Sequence, residues 1–487
     1  MDTGEVPRAM GDDADHSRHH GVVHDGRSAG SVVVVSNRVV RPGQEHVGGL
    51  GQALGSALEG DGGLWIGWSG EVSRSPRTRH SRCGGMEFVV EDLLPDSYRH
   101  YYRGYSNSVL WPLLHSRPDL VACDKGDLQG YLAVNRQFAR QLCRHLHPGD
   151  VVWIHDYHLL PLAAMARGLG VRNRIGLFLH TPVPARSVLD QVPAHAQALS
   201  VLADCDLVGV QTQADADHLR DFFVRQCGAR ADASGRLHLE DGRTFSVGVF
   251  PVGIDVDAMA GLAARSRHRR PDDGVRQLIG VDRLDYSKGI PERLRGLGRL
   301  MHREPALVQQ LRFLQVAPTS RGDVAAYREL AAEVEQLVHS LNARHGDTAG
   351  HRPVRCLRRP VPQHTLTGLY RASRVGLVTP LRDGMNLVAK EYVASQDPSD
   401  PGVLVLSRFA GAAGELRDAL LVDPRDPDSV ADAIARALSM QGHERRRRWR
   451  SMMDVLRRND IHAWSRHFLH ALRTVMSATP QVAGRPH

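Results

Sequence analysis

The stretch RVGLVTPLRDGMNLVAKEYVASQ, Arg374 to Gln396, runs from an apolar segment through a polar loop into a helix. Val375 to Val378 reads as a buried strand that stops at Thr379-Pro380. Arg382, Asp383 and Gly384 form the loop, and a helix is expected to start near Asn386 with Glu391 in its early turns. A strand, a tight turn and a helix N-terminus together make a place for an anion. The first backbone N–H groups of a helix lack partners, and the macrodipole adds about half a positive charge there. Asp383 before the helix and Glu391 within it are then placed to accept hydrogen bonds from hydroxyl groups. Phosphate beside hydroxyls is the chemistry of a nucleotide sugar. The plainer alternative is an ordinary strand-to-helix joint in an α/β sheet.

With 487 residues, 42% of them hydrophobic, and 47 glycines, the chain is long enough for two or three turn-rich α/β domains. It has no run of about 18 apolar residues, so no membrane span is expected. Residues 1–30 are rich in Asp, His, Gly and Arg, lack the apolar centre of a signal peptide, and read as a disordered extension. The six cysteines (Cys83, Cys123, Cys143, Cys205, Cys227, Cys356) include no pair at C-x-x-C spacing. That pattern predicts reduced thiols in a cytoplasm, not a zinc site or a disulfide framework. The net charge of +8 fits nucleic acid, phosphorylated small molecules or a basic proteome. The densest basic run, ERRRRWR from Glu444 to Arg450, reads as a solvated helix face. With no aromatic-interleaved basic motif, no nucleic-acid partner is expected.

Short β-branched runs alternate with helical segments throughout, as in parallel βαβ units. Strands are expected at Val32–Val35, Val151–Ile154, Ile175–Leu179 and Leu207–Val210. Polar residues follow each of them: Ser36-Asn37-Arg38, His155-Asp156, His180-Thr181 and Gln211-Thr212. Open parallel sheets bind ligands at the carboxyl ends of their strands, which directs Arg38, Asp156 and His180 toward one cleft. After the Pro- and Gly-containing turn Phe250 to Asp255 the pattern restarts, with strands expected at Leu278–Val281, Leu311–Val316, Val375–Val378 and Gly402–Leu406. The expected organisation is an extension (1–30), a Rossmann-like domain (31–253), a second Rossmann-like domain (254–458), a C-terminal helix (459–475) crossing back to the first domain, and a tail (476–487).

The loop Asp282 to Gly289 holds two permanent cations, Arg283 and Lys288, between a strand and a helix. Such donors suit a diphosphate leaving group, whose negative charge grows as its bond to sugar breaks. The alternative is an exposed ion-pair loop with Asp282 and Asp285. Arg38, the segment YYRGYSNSVLW (Tyr101 to Trp111) and Arg321 form a second set, with aromatic faces for a sugar ring and arginines for a phosphate. Asp-x-Asp triplets at Asp204/Asp206, Asp215/Asp217 and Asp426/Asp428 raise the alternative of a metal-dependent transferase. None sits at a strand end, so no metal and no cofactor is expected.

The ordered segments VVVVSNR, GGL, WIGWSG, YSNSVLWPLLH, WIHDYHLLPL, FLHTPVP, VDRLDYSKGIPER, QVAPTSRGD, TPLRDGMNLVAKEYVASQ and GVLVLSRFAGAAGEL resemble those of the trehalose-6-phosphate synthase family, from about Val32 to about Phe468. The resemblance implies a retaining glycosyltransferase of GT-B type, two Rossmann-like domains facing across a cleft. It implies glucose transfer from a nucleoside-diphosphate glucose to glucose 6-phosphate. By similarity, Arg38, Tyr102, Trp111 and Arg321 bind the acceptor, with both arginines on its phosphate, and Asp156 holds the acceptor sugar near the reacting centre. Gly49 resembles the glycine of a loop that closes over the donor, and Arg283 and Lys288 resemble the pair that holds its diphosphate. His180 and Asp383 look like contacts to glucose hydroxyls, the Met385-Asn386-Leu387 amides like contacts to phosphate, and Glu391 like the ribose contact. Thr181 and Val183 stand where such enzymes often carry bulkier apolar residues. The donor base (uridine, guanosine or adenosine) and a homo-oligomeric state stay open. So do two alternatives: another phosphorylated acceptor, or a catalytically silent sugar-phosphate sensor.

Overall fold

Val33 and Val35 join one apolar cluster and Val32 and Val34 another, so a single strand is buried on both faces. Only the middle of a parallel sheet covered by helices on each side accommodates that pattern. A computed structural model of the chain, which describes residues 30–39, 62–268, 270, 274–319, 324–346 and 350–475, has this strand there. The first sheet comprises β1 (Val32–Arg38), β2 (Gly63–Val72), β3 (Thr78–Cys83), β4 (Met86–Leu93), β5 (Val151–His155), β6 (Arg174–Phe178), β7 (Leu207–Val210), β8 (Arg230–Ala231), β9 (Leu237–His238) and β10 (Thr244–Val249). Their order is β3-β4-β2-β1-β5-β6-β7-β10-β9-β8, parallel from β4 to β10. The second sheet comprises β11 (Arg276–Val281), β12 (Leu311–Val316), β13 (Val354–Leu357), β14 (Val375–Val378), β15 (Val403–Ser407) and β16 (Leu420–Val422). It is wholly parallel in the order β13-β12-β11-β14-β15-β16. The expected strands at Leu207–Val210, Leu311–Val316 and Val375–Val378 coincide with the observed ones, and the rest differ by one to three residues at an end. This is the GT-B arrangement, α/β throughout with two Rossmann-like sheets. No helix among the described residues is long and apolar enough to cross a membrane.

Two local features depart from simple patterning. Tyr98–Leu110 is a π-helix. The Asn107 side-chain amide donates to the Tyr102 carbonyl (2.7 Å) and the Ser108 hydroxyl to the Arg103 carbonyl (2.9 Å), each five residues back. Wide turns of this kind cluster at functional sites. The run Glu444 to Arg450, expected as a solvated face, is instead partly buried within the helix Gly442–Arg458. Arg445 binds Asp400 and the Pro401 carbonyl, and the Trp449 indole donates to the Val393 carbonyl at 3.0 Å.

The final helix, Ile461–Thr474, begins two residues later than expected, where Asp460 caps the Ala463 N–H at 2.6 Å. It returns to the first sheet. Trp464 and Phe468 pack on Trp153 of β5 with ring centroids 4.9 and 5.0 Å apart. A Cβ on Gly176 or Gly209 would stand 2.9 or 2.7 Å from the Phe468 ring, so those strands carry glycine where the ring lies. Truncating this fully buried ring leaves a cavity the sheet cannot close. Phe468→Ala is expected to cost about 3–5 kcal/mol, read as a lowered urea midpoint.

Candidate active site

Asp156, His180, Gln211, Asp282, Arg283 and Asp383 line the cleft from the loops that follow strands, and Tyr102, Tyr370 and Glu391 line it from helices. On the second sheet, Asp282 and Arg283 follow β11, and the loop beyond them is fixed from beneath. Arg293, fully buried, donates to Asp282 (2.7 Å), Gln315 (2.8 Å) and Thr379 (2.9 Å), which follow or end three adjacent strands. Asp285 accepts from the Ser287 N–H (3.0 Å) and hydroxyl (2.9 Å) and from Tyr327 (3.0 Å). Gly289 then turns with φ +63° into the helix Ile290–Arg303. Asp282 therefore serves Arg293 and not the loop cations. Lys288 reaches across to Asp383 at 2.5 Å. Arg283 makes no hydrogen bond among the described residues, and its guanidinium lies 5.5 Å from the Trp111 ring centroid.

The loop after β14 lies against the first sheet. A Cβ on Gly384 would stand 2.0 Å from the His180 carbonyl oxygen, so only glycine fits between the two backbones. Asn386 takes φ +71°, a conformation Asn tolerates better than most residues, and its amide donates to Asp383 at 3.0 Å. The helix starts at Leu387, one residue past the expected point, with no side chain capping it and the Ala389 N–H on the Asn386 carbonyl at 3.3 Å. One turn on, Glu391 accepts from Tyr370 at 3.3 Å, and burial pushes its carboxyl up to about 7.

On the first sheet, Asp156 follows β5 with φ +75°, a strained conformation for a residue of this kind, held by its N–H on the Phe178 carbonyl (2.8 Å). Burial raises its carboxyl to about 6, against the pull of the Tyr157, His180 and Thr181 N–H groups and the Arg283 charge. His180 follows β6. Its Nε2 lies 3.1 Å from His155 Nδ1, and burial lowers its pKa to about 3, so the ring is neutral. Tyr102 stacks on His158 with centroids 5.8 Å apart, and Trp111 lies over His115 at 3.9 Å. These groups enclose a cleft of about 430 Å³, within the range of small-ligand sites.

The cleft brings together Tyr102, Trp111, Asp156, His180, Arg283, Lys288, Asp383, Met385, Asn386, Leu387 and Glu391. Arg38 ends β1 exposed, with its guanidinium against Gly70, and is not among the lining residues. Gly49 and Arg321 lie outside the described residues. His115 and Tyr370, to which the sequence reading gives no site role, also line the cleft, as does Gln211. Gln211, directly after β7, is noted by the strand-end rule as a polar residue but is given no site role. The Asp-x-Asp carboxylates stand apart from the cleft. Asp204 and Asp206 pair with Arg243 and Arg167 (2.8 Å each). Asp215 accepts from the Val183 N–H at 2.8 Å, and Asp217 from the Gln213 amide at 2.8 Å. Asp426 caps the helix Pro427–Ser439, and Asp428 pairs with Arg299 at 2.6 Å.

A cleft with a helix N-terminus and two cations on one sheet and hydroxyl acceptors on both suits a sugar nucleotide. The sequence profile of Glycosyltransferase family 20 matches residues 32–474. The chain belongs to glycosyltransferase family 20. This family 20 chain is 43% identical over 454 residues to a trehalose-6-phosphate synthase of Klebsiella pneumoniae, covering 91% of this chain and 95% of the relative. It is similar in structure to an α,α-trehalose-phosphate synthase (UDP-forming) from Burkholderia xenovorans in complex with glucose 6-phosphate. There the TM-score is 0.87 and the identity 42%, over 91% of this chain and 100% of the other. A trehalose-6-phosphate enzyme from E. coli bound with UDP-2-fluoro glucose superposes with a TM-score of 0.87 at 40% identity, over 92% of this chain and 99% of that one.

Two outcomes follow from the geometry of this family 20 site. Gly384→Ala forces the loop after β14 away from His180, and a misplacement near 1 Å is expected to lower kcat about 100-fold with the fold retained. Asp156 and Glu391 have raised pKa values in the folded chain, so their contribution to stability is present in acid and is lost as pH rises through about 6 and about 7. Asp156→Asn and Glu391→Gln are each expected to raise the ligand-free melting temperature near pH 8 and leave it unchanged near pH 4.

Proposed function

We propose that the chain transfers glucose from UDP-glucose to the anomeric hydroxyl of glucose 6-phosphate in the cytoplasm, forming α,α-trehalose 6-phosphate and UDP with the α configuration retained. The observation that carries this reading is the convergence of Asp156 and His180 from one sheet with Arg283, Lys288, Asp383 and Glu391 from the other, in a family 20 chain. The relatives bound to glucose 6-phosphate and to a fluorinated UDP-glucose support the choice of substrates.

In this reading Arg38, Tyr102, Trp111 and Arg321 take the acceptor, and Asp156 orients its sugar. Gly49 belongs to the loop over the donor. His180 and Asp383 bind glucose hydroxyls, the amides from Met385 to Leu387 bind phosphate, and Glu391 binds ribose. Retention normally implies a carboxylate nucleophile beneath the sugar. Asp156 is the cleft carboxylate on the acceptor side, and we give it a binding role. The acceptor oxygen attacks from the face that the leaving group vacates. As the bond from C1 to the phosphate oxygen breaks and the bond from C1 to the acceptor oxygen forms, the acceptor proton passes to the departing phosphate. Arg283 and Lys288 take up the charge on that phosphate, and the Lys288–Asp383 pair rearranges so that the ammonium faces diphosphate.

Arg283→Ala and Lys288→Ala are each expected to lower kcat about 100-fold in a coupled assay of UDP release with glucose 6-phosphate. Normal turnover in both variants would defeat the mechanism. Turnover is also expected to persist undiminished in excess EDTA, and restoration by added magnesium of activity lost to the chelator would point to a metal instead.

A further inference from the structure

His155 ends β5 fully buried, one residue before Asp156, and makes no contact with the cleft. Its Nδ1 meets Nε2 of His180 at 3.1 Å, and the two rings lie nearly parallel with centroids 5.4 Å apart. Burial depresses both pKa values, so each ring is neutral near pH 7 and carries one N–H. The contact between them accepts only one of two proton arrangements. In the first, His155 Nδ1–H donates, His155 Nε2 is a bare lone pair, and His180 carries its proton on Nδ1. In the second, His180 Nε2–H donates, and His155 must hold its own proton on Nε2.

The surroundings of His155 decide between them. Its Nε2 is buried without a hydrogen-bond partner among the described residues, and so are the indole N–H groups of Trp153 and Trp464. Those rings lie 4.6 and 6.2 Å from the His155 ring. Both indoles can only donate, so a proton on His155 Nε2 would add a third buried donor where no acceptor stands. An orphaned buried N–H is the rarer and costlier defect, and a bare acceptor nitrogen beside two donors is the better matched one. His180 Nδ1 makes no hydrogen bond among the described residues, and His180 lines the cleft.

We propose that His155 is a positioning residue that locks His180 in the Nδ1–H form, making it a hydrogen-bond donor to one hydroxyl oxygen of the transferred sugar. This rests on the sugar-nucleotide reading of the cleft and adds to it the direction of one hydrogen bond and the residue that sets it. A neutral, fixed donor selects for a hydroxyl at one ring position. It discriminates against a sugar that lacks that hydroxyl, because the buried N–H is then left unpaired.

Two measurements test it. In the full-length wild-type protein labelled with 15N-histidine, with the His180 signals assigned by loss in His180→Ala, the long-range 15N–1H pattern is expected to report protonation at Nδ1. Protonation at Nε2 overturns the proposal. In a panel of monodeoxy UDP-glucose donors, the wild type is expected to discriminate against one member. His155→Leu should reduce kcat/KM for UDP-glucose about 10-fold, the scale of one neutral hydrogen bond, and erase that one discrimination while leaving the others intact. His155→Asn, whose amide nitrogen can occupy the Nδ1 position, should recover most of it. A His155→Leu enzyme that loses rate equally on every donor, with its discrimination intact, would show a merely structural role. Failure of the wild type to turn over UDP-glucose at all would instead defeat the assigned function, and the nitrogen spectrum would still decide the tautomer.

Discussion

A guanidinium with no access to water lies beneath the point where β11, β12 and β14 come to an end. Arg293 satisfies Asp282, Gln315 and Thr379 at once. Stripping water from two ions costs several kcal/mol each, so such a group persists only where nearly every donor is matched. Room for it comes from Gly280, where a Cβ would stand 2.5 Å from Arg293 Nη1. The strand ends cannot slide past one another without leaving a charge unpaired. The loops that follow them, 282–288 and 379–386, inherit that register. Because Asp282 is committed below, Lys288 turns to Asp383, and Arg283 keeps its hydrogen-bonding capacity for the cleft.

The fold was legible because parallel strands buried on both faces read as apolar runs, and the cleft because its residues follow those runs directly. Asp156, His180, Arg283 and Asp383 could be found that way. The strands β2 to β4, β8 to β10, β13 and β16 are not legible in the same way. β3 is a polar edge strand, TRHSRC, almost wholly exposed and without alternation, and β2 mixes glycine with tryptophan. Arg293 resembled any surface cation on a helix, since nothing linear shows that a glycine thirteen residues earlier opens a chamber for it. Arg445 was misread for the same reason: its partner Asp400 is remote in sequence. His155 was visible only as a neighbour of Asp156, because its pairing with His180 depends on the register between β5 and β6.

Several features of the cleft disfavour folding. Asp156 and Asn386 adopt positive φ, two carboxyls are raised by burial, and the Thr181 hydroxyl is buried without a partner among the described residues. A helix start at Leu387 with no side-chain cap adds to the same side. Such groups are pre-set for a ligand and are held by the rigid sheets around them. The stability that allows this comes from the apolar clusters on both faces of each sheet.

The return of the final helix to the first sheet also sets an order of events during synthesis. Trp153 and Phe178 emerge from the ribosome before the whole second sheet, and the rings that cover them, Trp464 and Phe468, emerge after it. The nascent first half thus carries an uncovered apolar face until the whole second sheet has been made, a surface that chaperones recognise and that favours premature association between chains. A chain released between residues 422 and 461 would have both sheets complete but lack the clasp joining them.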